Sequence, residues 1–108
     1  RFTPLHPAVL RLVRHIVRVA ERHGIEVGVC GEMASTPLMA YALVGLGLRQ
    51  LSVQPRSVPL VKRLVRGIDV ARATAAAERA LGAATAREAE AALAAGLDAE
   101  AGAGAGAL

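Results

Sequence analysis

The first half of the chain alternates amphipathic helical patterns with short apolar segments. Between Pro7 and His23 the apolar residues recur at helical spacing, while arginines and histidines fill the opposite face. Pro7 suits the first turn of a helix, and Gly24 suits the residue just beyond its end. We therefore predict one helix whose buried stripe consists of Val9, Leu12, Val13, Ile16, Val17 and Ala20.

A short apolar segment follows this helix, from Ile25 to Cys30. It is too short for a second helix and rich in β-branched residues, so it predicts a strand. Side chains alternate between the two faces of a strand. The face that packs against helices would carry Ile25, Val27 and Val29, and the opposite face would carry Glu26, Gly28 and Cys30.

The same alternation continues along the chain. Ser35 and Thr36 are candidate N-caps for the next helix, and Pro55 breaks a second strand. The predicted elements are a helix over 37–44, a strand over 51–53, and a helix over 58–67 that buries Val61, Leu64, Val65 and Ile68. Such alternation is typical of parallel βα units. Because two strands alone do not form a stable parallel sheet, we predict a fragment of a larger α/β domain.

The last third of the chain is rich in alanine. Asp69 is the predicted N-cap of a helix that ends near Leu81, and Thr85 with Glu88 forms a capping-box pattern for another that ends near Gly96. Both are weakly amphipathic, so we expect a peripheral hairpin. Residues 98–108 are of low complexity and are expected to be disordered.

Composition and charge argue against nucleic-acid binding, membrane association and zinc binding. The net charge of +4 comes almost entirely from arginines spread over several segments, with no aromatic residue beside them. This distribution is typical of solvated helix faces and argues against nucleic-acid binding. With no leader and no apolar run of about 20 residues, we expect a soluble, cytoplasmic chain without a membrane partner. His6, His15 and His23 lack zinc-site spacing and are expected at the surface.

Cys30 is the single cysteine, and its position makes it a candidate for chemistry. It ends a predicted parallel strand shortly before a helix begins, and in (β/α) barrels that end of the strands carries the active site. A nearby helix N-terminus would favour the thiolate. An unpaired cysteine is also often a small buried hydrophobic residue, so the residues alone leave both interpretations open.

Two segments in fixed order resemble a known family. They are CGEMAS, from Cys30 to Ser35, and GLGLRQLSV, from Gly45 to Val53, preceded by LHPAVLRLV from Leu5 to Val13. Together they resemble the end of the phosphoenolpyruvate (PEP)-binding barrel of PEP-protein phosphotransferase, Enzyme I of the sugar phosphotransferase system. The resemblance covers about residues 3–95. It implies an α/β fold, with residues 1–68 forming the end of a (β/α)8 TIM barrel, from about helix 6 to helix 8, and residues 69–97 a C-terminal helical hairpin.

The resemblance also implies an activity and its residues. Members of this family transfer the phosphoryl group of PEP to an enzyme histidine, with Mg²⁺, and then to the carrier protein HPr, releasing pyruvate. The cysteine that matches Cys30 protonates the enolate, Gly31 would let the backbone turn, and Glu32 could orient the loop. Thr36 replaces an aspartate of many relatives, with little effect expected, and Arg56 is assigned no substrate role.

The remaining machinery would lie before Arg1. In this family the phosphate-binding arginines, the magnesium carboxylates and the accepting histidine all precede the matching segment, so this fragment should hold no metal and be inactive alone.

The full-length protein would be a homodimer, either a stand-alone Enzyme I or a fused multiphosphoryl transfer protein. Pyruvate phosphate dikinase and PEP synthase share the barrel and its cysteine and remain alternatives, as does a non-catalytic oligomerisation or regulatory remnant.

Overall fold

The computed structural model describes residues 5–29, 36–51 and 55–107, and helices dominate this part of the chain. The elements are α1 (Pro7–Arg22), β1 (Gly28–Val29), α2 (Pro37–Gly45), β2 (Gln50–Leu51), α3 (Val58–Gly67), α4 (Val70–Leu81) and α5 (Ala86–Ala107), with a 3-10 turn (Pro55–Ser57) before α3. The order of helices and strands therefore agrees with the sequence pattern. None of the described helices is both long enough and apolar enough to cross a membrane.

Side-chain caps fix the helix starts at the predicted residues. Thr36 Oγ1 accepts a hydrogen bond from the Met39 N–H at 3.2 Å. Asp69 Oδ1 accepts one from Ala71 N–H at 2.9 Å, and Thr85 Oγ1 accepts one from Glu88 N–H at 3.1 Å. Each cap satisfies an amide that has no partner inside its own helix, which confirms the predicted starts of α2, α4 and α5.

The two strands pair in parallel. Gly28 lies opposite Gln50, and Val29 lies opposite Leu51. Val27 and Val29 pack against a small buried cluster of Val17, Leu43 and Leu48, which confirms that this face of β1 meets the helices. Ile25 was expected on the same face, but it is 63% exposed because it lies before the paired residues. The described part of the chain contains no other strand.

The core lies between α2 and the two C-terminal helices. Residues Met39 to Gly45 of α2 are all buried. Met39, Tyr41 and Ala42 belong to one cluster with Leu93 and the alanines of α4 and α5, which are Ala73, Ala76, Ala77, Ala80 and Ala89. The helices α4 and α5 pack on each other as a hairpin, but in the described residues this hairpin is part of the core and is not peripheral. Alanine side chains are short and let helix backbones approach closely, so α4 and α5 can cover a helix that has no polar face of its own.

Helix α1 buries only part of its predicted stripe: Val17 and Ala20 are buried as expected, and Leu10, which was not predicted, is buried as well. Leu10 and Val17 face the core, whereas Leu12 and Ile16, both predicted to be buried, are 59% and 46% exposed. Polar contacts between α1 and α4 accompany this orientation. Arg11 Nε donates to the Leu81 carbonyl at 2.9 Å, and its Nη2 donates to the Ala83 carbonyl at 3.2 Å. Arg14 forms an ion pair with Glu78 at 2.6 Å, so the arginine edge of α1 lies against α4.

The predicted buried face of α3 also differs from the structure. Leu64 and Ile68 are half-buried, but Val65 is 40% exposed. The Val61 side chain lies outside the described residues. The helix therefore carries an apolar flank that the described residues do not cover.

Helix α5 continues to Ala107, although residues 98–108 were expected to be disordered. Alanine has the highest helix propensity of the residues, which offsets the interspersed glycines. Glu100 is also buried, with Oε2 accepting a hydrogen bond from Asp69 N–H at 3.1 Å. A long-range hydrogen bond between Asp69 and Glu100 therefore holds this part of the helix, and the low-complexity pattern gave no sign of that contact.

Candidate functional site

The candidate residues Cys30, Gly31 and Glu32 lie outside the described residues. The structure does describe the strand before them and the helix after them. Strand β1 ends at Val29, and α2 begins at Pro37 with Thr36 as its N-cap. In the sequence, the candidate residues therefore belong to the connection between the carboxyl end of a strand and the start of a buried helix.

The parallel pairing defines one edge of the sheet as the candidate site. Because β1 and β2 run in the same direction, their carboxyl ends lie at the same edge. The connections that follow Val29 and Leu51 both start there, and the second one leads into the 3-10 turn that contains Arg56. In α/β folds the loops at this edge build the binding site. The geometry of the described strands thus agrees with a site assembled from the two connections.

A polar pair occupies the open face of the two strands. Gln50 Nε2 donates a hydrogen bond to Glu26 Oε2 at 2.8 Å. Gly28 lies opposite Gln50, and a Cβ placed on this glycine would lie 3.5 Å from Gln50 Oε1. The face opposite the valines is thus polar, and a side chain at position 28 would contact Gln50 at an ordinary van der Waals distance. The alternation of side chains identified Glu26 and Gly28, whereas Gln50 was missed because the register of β2 against β1 cannot be read from a single sequence.

The helix after the candidate residues is held firmly. Tyr41 and Leu43 of α2 are 0% and 1% exposed, and α4 and α5 pack along the helix. A helix with no solvent-exposed face cannot shift without repacking its neighbours. The C-terminal helices therefore fix the position of the element that ends the β1–α2 connection.

The histidines take no part in this arrangement. His6 Nδ1 accepts a hydrogen bond from Ala8 N–H at 3.0 Å and caps α1, and His15 and His23 are exposed. These positions confirm the expected surface placement. Within residues 5–29, 36–51 and 55–107, no three histidine, cysteine or acidic side chains form a cluster that could hold a metal ion.

An open groove of about 260 Å³ lies at the other end of the strands. It is lined by Arg14, Val17, Arg18, Glu21, Gly45, Leu46, Gly47, Thr74 and Glu78. The turn at residues 45–47 leads into the amino end of β2, so the groove is remote from the edge where Cys30 follows β1. It is mixed in charge and already holds the Arg14–Glu78 ion pair, so we do not assign it to the candidate site.

Comparison with known protein families gives a match over the first two thirds of the chain. Residues 1–70 match the family described as PEP-utilising enzyme, PEP-binding domain. The match contains α1, β1, α2, β2 and α3, together with the candidate residues Cys30, Gly31 and Glu32.

Individual relatives extend this similarity. The chain is 48% identical over 87 residues to the "Phosphoenolpyruvate-dependent phosphotransferase system" protein of Escherichia coli K12, an alignment covering 81% of this chain and 12% of that protein. It is 52% identical over 62 residues to the PEP-protein phosphotransferase of Cupriavidus necator, covering 57% and 11% of the two chains. It is 43% identical over 60 residues to the PEP synthase of Pyrococcus furiosus, covering 56% and 7%. The chain thus spans only about 12% of the length of the first of these relatives.

Proposed function

The chain belongs to the family of PEP-utilising enzymes, as part of their PEP-binding domain, and we propose that its full-length protein is a PEP-protein phosphotransferase. This enzyme would move the phosphoryl group of PEP to one of its own histidines and then to the carrier protein HPr, releasing pyruvate. The names of the relatives from Escherichia coli and Cupriavidus necator support this choice. The observation that carries it is the 48% identity over 87 residues to the Escherichia coli protein, because the family match of residues 1–70 fits PEP synthases as well.

The proposed fold is a piece of a (β/α)8 barrel. In the described residues, β1 and β2 pair only with each other, so each has an edge that another strand could extend. Leu12 and Ile16 of α1 are exposed, as is Val65 of α3. Apolar flanks on the helices of a two-stranded parallel unit are expected where further βα units pack beside it. The preceding part of the polypeptide would supply those units.

Cys30 is the proposed proton donor to the enolate that remains after phosphoryl transfer. Its S–H bond breaks, a C–H bond forms at the methylene carbon to give pyruvate, and the thiolate regains a proton from solvent. Its place directly after β1, at the edge where both strand connections begin, supports this role. A thiol can be poised near neutral pH for such acid–base work. Gly31 would allow a tight turn towards the substrate, and Glu32 would orient the connection.

The other parts of the site would come from outside this fragment. The described residues bring together no metal-binding cluster, so they do not themselves fit a magnesium ion. We therefore derive no step through the metal, whose ligands would lie earlier in the polypeptide. The fragment alone is expected to be inactive for the same reason, and the full-length enzyme is proposed to be a homodimer.

Replacing Cys30 in the full-length protein tests the proposed chemistry. Cys30→Ala should slow pyruvate formation by about 10²–10⁴-fold, the range for loss of a general acid. Transfer of the phosphoryl group to the enzyme histidine should fall much less, because that step does not need the proton. The two steps are followed separately by single-turnover release of pyruvate and by radiolabel from PEP retained on the protein.

The exposed residue His23 provides a control, since His23→Gln should leave both steps unchanged. Pyruvate formation at the wild-type rate in Cys30→Ala would refute the proton-donor role. An equal loss of both steps would show instead that Cys30 supports the structure of the site.

A PEP synthase is the second candidate function, favoured by the 43% identity to the Pyrococcus furiosus enzyme. This reaction class uses a nucleotide, whereas the phosphotransferase passes its phosphoryl group to a protein. Incubating the full-length protein with labelled PEP separates the two. With HPr added, transfer of label to HPr supports the phosphotransferase. With AMP and inorganic phosphate added instead, formation of labelled ATP supports the synthase. Phosphorylation of neither, with a wild-type sequence and a folded protein, would favour a non-catalytic oligomerisation or regulatory role.

A further inference from the structure

Two buried polar atoms lack a hydrogen-bond partner within the described part of the chain. They are the hydroxyl of Tyr41 on α2 and the Oε1 atom of Glu100 on α5. Tyr41 is 0% exposed and Glu100 is 9% exposed. Leaving such a group unpaired costs about 1–3 kcal/mol, so two of them in one small core need an explanation.

The two groups are neighbours across the contact between α2 and α5. A Cβ placed on Gly96 would lie 2.8 Å from the Tyr41 hydroxyl oxygen, so the hydroxyl lies against α5 at this glycine. Glu100 follows Gly96 by four residues and is therefore one turn further along the same face of α5. Burial raises the pKa of Tyr41, and the Glu100 carboxylate is the second cause of this increase. Geometry and electrostatics thus bring the two groups together.

The other oxygen of Glu100 is already engaged. Oε2 accepts a hydrogen bond from Asp69 N–H at 3.1 Å, and Asp69 is the N-cap of α4. The Glu100 carboxylate therefore joins α5 to the start of α4. Its free oxygen, Oε1, is the atom available to Tyr41 of α2.

We propose that the Tyr41 hydroxyl donates a hydrogen bond to Glu100 Oε1, directly or through one bridging water, and that this Tyr41–Glu100 lock fixes α5 on α2 and on the start of α4. The lock satisfies both unpaired atoms at once. It also gives the alanine-rich α5 a specific position, which small apolar side chains alone define poorly. The proposal does not depend on the activity proposed above.

The charged groups around Tyr41 are compatible with this bond. Arg72 and Arg79 of α4 lower the Tyr41 pKa, while Asp69 raises it slightly in addition to Glu100. The arginines therefore offset part of the negative charge that the carboxylate brings into the core. At neutral pH the phenol keeps its proton and can donate it.

The direction of the stability change caused by one substitution tests the Tyr41–Glu100 lock. Tyr41→Phe removes only the hydroxyl. If the hydroxyl were unpaired, its removal would leave the stability of the full-length protein unchanged or increase it. If the lock exists, the unfolding equilibrium constant should rise about three- to tenfold, the usual effect of losing one buried hydrogen bond. Urea denaturation monitored by circular dichroism measures this constant.

A double-mutant cycle assigns the effect to Glu100. In a Glu100→Met background the acceptor is absent, so adding Tyr41→Phe should no longer destabilise the chain. Asp98→Asn, an exposed change on the same helix, is the matched background and should preserve the full effect of Tyr41→Phe. An equal effect of Tyr41→Phe in the Glu100→Met and Asp98→Asn backgrounds would overturn the proposal.

Tyr41 is also a spectroscopic probe, because it is the only tyrosine of these 108 residues, which contain no tryptophan. The difference in absorbance between the full-length protein and its Tyr41→Phe variant isolates its signal. Tyrosinate absorbance should appear above the ordinary pKa of 10.0 in the parent chain and in Asp98→Asn, and at lower pH in Glu100→Met. Since folding raises this pKa, the stability gained by keeping the phenol protonated is present below pH 10.0 and is lost as the pH rises further. Titration of the parent chain as a free tyrosine would contradict the lock.

Discussion

At the scale of single residues, close helix contacts depend on glycine. A Cβ placed on Gly45 of α2 would collide with the Ala73 carbonyl oxygen and would lie 3.0 Å from Ala77 Cβ on α4. These are backbone and β-carbon atoms, which cannot swing aside. The absence of a side chain at Gly45 therefore sets how closely α2 and α4 approach.

We expect Gly45→Ala to lower the free energy of unfolding by about 1–3 kcal/mol, the usual cost of overpacking. Gly67, at the end of α3, provides the matched control, since a Cβ there meets nothing within 4 Å. Gly67→Ala should be neutral or slightly stabilising because alanine favours the helix. Urea denaturation of the two variants measures the difference, and equal stabilities would contradict the steric explanation.

Local residue chemistry was largely predictable from the sequence, and long-range contacts were not. The caps Thr36, Asp69 and Thr85 were predicted because each acts on an amide two or three residues away. Gly45 was recognised only as the end of a helix, since its contact partner Ala73 is distant in the sequence. The role of Cys30 came from the family resemblance and stays a prediction, because strand polarity alone did not separate a reactive thiol from a buried one.

At the scale of elements, α1 is joined to the end of α4 by a side chain. The Arg11 guanidinium donates to the carbonyl of Leu81, one of the acceptors left free at the C-terminus of α4, and to the carbonyl of Ala83 just beyond the helix. The periodicity of α1 placed Arg11 on a solvent face, because nothing in its own helix indicates a partner so far along the chain. With Arg11 held against α4, Leu12 and Ile16 are exposed.

Arg11→Met should lower the free energy of unfolding by about 1 kcal/mol, because two carbonyl acceptors lose their donor while the aliphatic stem remains. Arg22, exposed in the last turn of α1, offers a control substitution with the same charge change. Amide hydrogen exchange should also accelerate at the C-terminal turn of α4 in Arg11→Met alone. Equal exchange in Arg11→Met and Arg22→Met would show that the cap contributes nothing.

At the scale of the whole molecule, the exposed apolar flank of α1 distinguishes the fragment from the proposed full-length barrel. Leu12 and Ile16 contribute little to the fragment because they are 59% and 46% exposed. Replacing both by serine should therefore change the unfolding free energy of the 108-residue chain by about 0.5 kcal/mol or less, as for surface changes. In the full-length protein the same pair should cost about 2 kcal/mol or more, because neighbouring βα units would cover it.

Leu10→Ala is the control for this comparison. Leu10 is 2% exposed in the fragment, so its truncation should cost about 2–5 kcal/mol in both lengths of chain. Thermal and urea denaturation measure the change in unfolding free energy for the serine pair and for Leu10→Ala, each in the fragment and in the full-length protein. A small effect of the serine pair in both lengths would contradict the proposal that the flank is covered.

The burial of α2 by α4 and α5 also has a consequence for biosynthesis. The ribosome releases α2 well before the two helices that cover it, so the nascent chain carries a helix without a polar face until its last third has emerged. Exposed apolar segments of this kind engage chaperones or aggregate. A nonsense mutation between the codons for Gly45 and Asp69 would thus yield a product in which α2 is permanently uncovered, and such a truncated protein should be degraded rather than accumulate in the cell.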